Sequence, residues 1–172
     1  MRASRVPVAV VCDAGPLIHL DELGCLDVLS AFREVLVPKG VWLEVRRHRP
    51  AALRTPDVPF QKVEIIPPPT RQLKIIMQDL PVDAGEQQAL RLMEEFSDAT
   101  LLTDDAAARL VARLLGYDVH GTIGLLILGW QMGLRSKKDT IAILKSVRLQ
   151  SSLFVTNRFL KTVIGQLRKY SS

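Results

Sequence analysis

The chain has 172 residues, 48% of them hydrophobic, 24% charged and 5% aromatic, with a formal net charge of +5, the size and apolar content of one domain with a core of its own. Its longest apolar stretch, Ile123 to Trp130, is far shorter than the roughly 18 residues of a membrane span, which argues against a membrane protein. Charge is uneven: from Ser136 onward eight Lys/Arg face Asp139 alone, a net +7, while the first 135 residues carry fifteen basic and seventeen acidic groups. Such a basic C-terminal section suits either solvated helix faces or contact with a polyanion.

Val6 to Cys12 contains four valines and no polar alternation, and it stops at Asp13-Ala14-Gly15-Pro16. This reads as a strand buried on both faces in a parallel sheet, followed by a turn into a helix. Arg2 and Arg5 precede the run as in a signal peptide, but Asp13 stands where a small-residue cleavage site would be, so no targeting segment is expected. Cys12 and Cys25 form neither a disulfide framework nor a metal-ligand spacing, and they are expected as reduced core residues of a cytoplasmic protein. Short helices are predicted through Leu17, Ile18 and Leu20 and from Leu26 to Phe32, then a strand from Glu34 to Val37. A helix follows Pro38-Lys39-Gly40, with Val41, Trp42 and Val45 apolar, Glu44 in its middle and the basic run Arg46-Arg47-His48-Arg49 behind it.

Pro50 to Pro59 reads as a loop, Lys62 to Ile66 as a strand, and Leu73 to Met77 as a short helix. Asp83-Ala84-Gly85-Glu86 has the pattern of a capping box opening a helix. Thr100 to Thr103 is a short buried strand ending in Asp104-Asp105, followed by a helix from Ala106 to Leu115. A strand through Val119 leads to an apolar helix from Ile123 to Met132, with Thr122 as N-cap. Two amphipathic helices finish the chain; the last is capped by Thr156 and buries Phe159, Leu160, Val163, Ile164 and Leu167. Alternating strands and helices predict a three-layer α/β/α fold with a mostly parallel sheet.

The sequence lacks a Gly-x-Gly-x-x-Gly fingerprint, a P-loop and a Gly-x-Ser-x-Gly elbow, which excludes the usual dinucleotide, NTPase and acyl-hydrolase devices. His19 and His120 read as structural, and His48 lies in the basic run. What remains are carboxylates. Asp13 ends one strand, Asp104 and Asp105 end another, Glu86 opens a helix and Glu44 sits on one. Taken singly, each is a helix cap, a capping-box partner or an exposed helix position. Taken together at one sheet edge, they form an acidic cluster that needs a cation, and hard oxygen ligands favour Mg²⁺ or Mn²⁺.

Val11-Cys12-Asp13-Ala14-Gly15-Pro16-Leu17-Ile18 and Val37-Pro38 leading to Val41-Trp42-Leu43-Glu44-Val45 resemble the PIN-like nucleases. So do Asp83-Ala84-Gly85-Glu86-Gln87-Gln88-Ala89 and Leu101-Leu102-Thr103-Asp104-Asp105-Ala106-Ala107-Ala108-Arg109. With Val119-His120-Gly121-Thr122-Ile123-Gly124-Leu125-Leu126, the set is most similar to a prokaryotic subgroup, DUF3368, related to VapC-type toxins. The resemblance runs from about residue 8 to the last helix.

It implies a single PIN-like domain over residues 1–172, with basic helices from about 136, that hydrolyses RNA phosphodiester bonds with Mg²⁺ or Mn²⁺. The implied acids are Asp13, Glu44, Glu86 and one of Asp104 and Asp105, with Asp13, Glu86 and Asp104/Asp105 as metal ligands. PIN domains usually carry Asp where this chain has Glu86. Spacing after Thr103 favours Asp105 as the fourth acid, whereas strand-end geometry allows Asp104. Arg46, Arg47, Arg109 and the C-terminal lysines are expected to hold the RNA backbone, and the low aromatic content predicts limited base stacking. The expected partners are RNA, an antitoxin protein and a second copy of the chain in a homodimer or higher oligomer. The rivals are a PIN-fold binding module with little or no nuclease activity and, more remotely, a phosphatase with Asp13 as nucleophile. The phosphatase reading lacks its usual second acid, since position 15 is Gly.

Overall fold

The computed structural model of the protein describes residues 9–170; Val6 to Val8, the expected start of the first strand, and the segment with Arg2 and Arg5 lie outside them. Five strands, β1 (Ala9–Cys12), β2 (Glu34–Pro38), β3 (Phe60–Val63), β4 (Thr100–Leu102) and β5 (Val119–His120), form one sheet in the order β3-β2-β1-β4-β5. All four pairings are parallel. The order reverses at β1, so the C-terminal ends of β1 and β4 lie side by side at the place where open α/β sheets bind ligands.

The unbroken apolar character of β1 follows from its central place. Side chains alternate across a strand, and here each face meets its own core. Val10 and Cys12 pack with Val35, Val37 and Leu102 on one side, while Val11 packs with Leu36 and Leu101 on the other. The first core is closed by α1 (Ala14–Glu22), α2 (Lys39–His48), α6 (Thr122–Gln131), α7 (Lys137–Gln150) and α8 (Asn157–Lys169). The second is closed by α3 (Arg71–Met77), α4 (Ala84–Glu95) and α5 (Ala106–Leu114). The result is the expected three-layer α/β/α arrangement, with Cys12 and Cys25 free and buried.

Several local expectations are corrected. Leu26 to Ala31 is a 3-10 helix, and a further 3-10 turn, Ala52–Arg54, sits inside the loop before β3. β3 starts at Phe60 and stops at Val63, because Val63 pairs with Pro38, the last residue of β2. Ile65, beyond that partner, is 86% exposed. Thr122 is the first residue of α6 and Gly121 its N-cap; the carboxylate of Asp104 accepts from the Thr122 N–H at 2.7 Å in place of a capping side chain. On α8 the core side chains are Leu160, Ile164 and Leu167, with Val163 half-buried and Phe159 49% exposed.

Truncating Leu102, which is 0% exposed between the sheet and its helices, is expected to lower the free energy of unfolding by about 2–5 kcal/mol. Truncating Leu149, 90% exposed, should change it by less than about 0.5 kcal/mol. Urea denaturation of Leu102→Ala and Leu149→Ala makes the comparison.

Candidate metal-binding site

The junction of β1 and β4 sets the site. The Asp13 N–H donates to the Leu102 carbonyl at 2.9 Å, carrying the pairing one residue past the strand. The side chain of Asp13 then turns back: Oδ1 accepts from the Ala14 N–H at 2.7 Å, capping α1, and Oδ2 accepts from the Thr103 hydroxyl at 2.9 Å. Thr103, fully buried, is the hub of this corner. Its hydroxyl also accepts from the Asp105 N–H at 3.1 Å, and its carbonyl accepts from Arg109 at 3.1 Å.

Asp105 caps α5 through the Ala108 N–H at 2.7 Å. Asp104 points the other way. Its Oδ2 lies 2.8 Å from His19 Nδ1 and 2.6 Å from the Thr122 hydroxyl. An ionised carboxylate only accepts, so His19 Nδ1 carries the proton. Gly121 is required beside this carboxylate, since a Cβ there would stand 2.6 Å from Asp104 Oδ1 and 2.8 Å from Arg109. Across the cleft the capping box of α4 is complete: Asp83 accepts from the Glu86 N–H at 2.9 Å and Glu86 accepts from the Asp83 N–H at 2.8 Å.

Asp13, Glu44, Glu86, Asp104 and Asp105, the five acids singled out in the sequence, line one pocket of about 430 Å³, and Asp83 joins them. His19 and the Ser152 to Phe154 segment complete the wall; the lining contains no lysine or arginine. Asp83, His19 and Thr103 were not foreseen in this role. The capping pattern accounted for Asp83 by itself, and nothing in the spacing of His19 or Thr103 ties them to carboxylates about 85 to 90 residues away.

Burial and, after it, the crowding of acids show in their acidity. Burial raises the Asp13 carboxyl to about 6 from an ordinary 3.8, against the opposing hydrogen bonds from Ala14 and Thr103, and the charges of Asp83 and Glu44 add to the rise. Glu86 rises to about 7 from 4.5, first through burial and then through the charges of Asp83, Asp105 and Asp13. Burial and Asp83 also raise Glu44. Asp104 differs: burial pushes it up, but His19 and Thr122 outweigh that and hold it below the ordinary carboxylate range. The positive ends of α1, α4, α5 and α6 face this cluster and offset part of its charge, yet Asp13 and Glu86 remain hard to ionise.

As placed, no three His, Cys, Asp or Glu side chains among the described residues close around a single point tightly enough to hold an ion. Asp13, Asp83, Glu86 and Asp105 each have an oxygen turned onto a helix N-terminus by the hydrogen bonds above. The donor set itself, carboxylate oxygens without a built-in cation, has the chemistry of a hard divalent ion site.

A fully parallel α/β sheet with carboxylates gathered at its switch point places the chain among the α/β proteins that build their site at the strand ends. A family model, DUF3368, described as a PIN domain, matches residues 9–169, and the chain belongs to that family. No curated protein matches the chain. No helix among the described residues is long and apolar enough to cross a membrane.

In metal-free protein the raised values of Asp13 and Glu86 mean that the folded state holds protons which the unfolded state releases between about pH 4 and 7. Their contribution to stability is therefore present below that window and is lost as pH rises through it. Asp13→Asn, which removes the charge at a 6% exposed position, is expected to be more stable than the native chain by on the order of 2 kcal/mol at pH 8 and about equal to it at pH 4. Urea denaturation in chelator at both pH values checks this.

Proposed function

We propose that the chain acts as a single PIN nuclease domain that hydrolyses RNA phosphodiester bonds with Mg²⁺ or Mn²⁺, as the toxin component of a prokaryotic toxin–antitoxin pair. One observation carries the reading: six carboxylates and no lysine or arginine line a single pocket at the sheet's switch point, where burial and mutual repulsion raise Asp13 to about 6 and Glu86 to about 7. Such a site is incomplete without added positive charge.

Asp13, Glu86 and Asp105 are assigned as metal ligands, with Glu44 completing the site. Asp105 is preferred over Asp104 because it accepts a single bond, at its cap, whereas Asp104 accepts three and is turned toward His19 and Thr122. A bound Mg²⁺ or Mn²⁺ supplies Lewis acidity toward water and the scissile phosphate. The chain's own part is positional. Thr103 fixes the Asp13 rotamer, His19 and Thr122 hold Asp104 ionised as a fixed negative neighbour, and the β1–β4 pairing sets the spacing between the two strand-end acids. Exposed Arg46 and Arg47, beside Glu44 on α2, supply phosphate contacts without base readout.

Leu110 and Leu114 are 47% and 61% exposed one turn apart on α5, a surface suited to a second copy of the chain or an antitoxin segment. The free buried thiols of Cys12 and Cys25 suit a reducing cytoplasm.

With Mn²⁺ the native chain is expected to cut single-stranded RNA, chelator should abolish cleavage, and Asp13→Asn should lower the rate by about 100-fold or more. Mn²⁺ should also raise the Tm of the native chain and leave that of Asp13→Asn unchanged. Equal cleavage by both proteins would sink the assignment; binding of RNA without cleavage would replace it by a PIN-fold binding module.

A further inference from the structure

A second pocket, of about 390 Å³, adjoins the acidic one, and Asp104, Leu153 and Phe154 line both. The linings differ in chemistry. The second pocket has Arg109, His120, the first turn of α6 and two phenylalanines, Phe154 and Phe159. Its volume falls in the range of small-molecule sites.

Phe154 is 92% exposed, but the segment that carries it is anchored on both sides. The Ser152 N–H donates to Glu22 Oε2 at 2.7 Å and the Ser152 hydroxyl reaches both oxygens of that carboxylate, at 3.0 and 3.1 Å. Leu153 is buried in the core, and Thr156 accepts from the Phe159 N–H at 3.2 Å to start α8. An aromatic ring is thus held in water at the seam between two pockets, while Phe159 presents a second, half-exposed ring from the first turn of α8.

The pocket floor is bare. Gly121 and Gly124, three residues apart and so on one helix face, line it. At Gly121 a side chain would strike Asp104 and Arg109. At Gly124 a Cβ would only touch His120, at an ordinary 3.6 Å. Glycine weakens a helix relative to alanine, and no close contact in the fold requires it at position 124; what its absent side chain leaves is space in the pocket. Arg109 commits one N–H to the Thr103 carbonyl, and a guanidinium has five.

We propose that this pocket is a subsite for one unpaired nucleotide of the RNA strand that enters the acidic site. Its base stacks on Phe154 and Phe159 over the floor left by Gly124, and its phosphate meets Arg109. Two aromatic faces, a cation and a shared wall with a hydrolytic site suit a nucleotide, and base–aromatic stacking tolerates any base. A duplex cannot offer an unstacked base, so the subsite selects single strands. The inference rests on the ribonuclease reading of the neighbouring pocket, but its test does not need cleavage.

The probe is a fluorescein-labelled oligouridine of about ten nucleotides, within the usual span of such sites, with a duplex of equal length as control. Both are titrated in chelator. Phe154→Ala and Gly124→Leu are each expected to weaken single-strand binding about tenfold or more, Phe154→Trp to retain it, and all three to bind duplex as the native chain does and to unfold at a Tm no lower than its own. Native single-strand affinity in both Phe154→Ala and Gly124→Leu overturns the subsite and leaves the pocket to a protein partner. So does an equal loss on duplex. Cleavage by the native chain in Mn²⁺ is scored separately. Stacking-dependent binding without cleavage supports the subsite and removes the nuclease reading, whereas cleavage with unchanged variant affinities retains the nuclease and removes the subsite.

Discussion

The corner where β1 and β4 run out together carries the rest of the site. One backbone hydrogen bond past the strand end, from Asp13 to Leu102, and one buried hydroxyl, that of Thr103, tie Asp13 to Asp105. Everything else is arranged around that corner. The sheet order brings the two strand ends together, and α4 presents Asp83 and Glu86 from the opposite side. Gly121 makes room for Asp104 to turn away toward His19.

The acids are helix caps and members of an acidic pocket at once, and the two roles do not compete. A cap consumes one carboxylate oxygen; the other is left in Asp105 and meets only the Thr103 hydroxyl in Asp13. The helix N-termini that donate to these caps also supply partial positive charge, which is why so many carboxylates can share one cleft without unfolding it. Burial, and after it the remaining repulsion, appears as the high affinity of Asp13 and Glu86 for protons. Asp104 is the exception: its three hydrogen-bond donors make it a stable anion, which separates it from Asp105 although the two are adjacent in the chain.

Much of this was legible from the residues. The valine run ending in Asp13 reads as a central strand because only a strand covered on both faces tolerates no polar alternation, and the capping box at Asp83 and Glu86 is local chemistry written within four residues. What was not legible is non-local. The Thr103–Asp13 and His19–Asp104 contacts depend on strands that meet only after the chain has crossed the sheet. The end of β3 is set by its partner, β2, rather than by its own apolar residues. Phe159 fits a helical apolar spacing yet faces a pocket, since periodicity assigns a face but not what covers it. Spacing after Thr103 favours Asp105, and the bonds from His19 and Thr122 to Asp104 that support the same preference are not contained in any spacing.

Cys12 lies one residue before Asp13, fully buried, and burial, with the charges of Asp13 and Asp104 behind it, pushes its thiol well above the ordinary range. A thiol so placed is scarcely nucleophilic while the sheet is closed. Alkylation of Cys12 therefore proceeds only through molecules in which β1 has parted from its neighbours, and its rate counts those openings. The chain carries its own chemical clock for the integrity of the strand that holds Asp13.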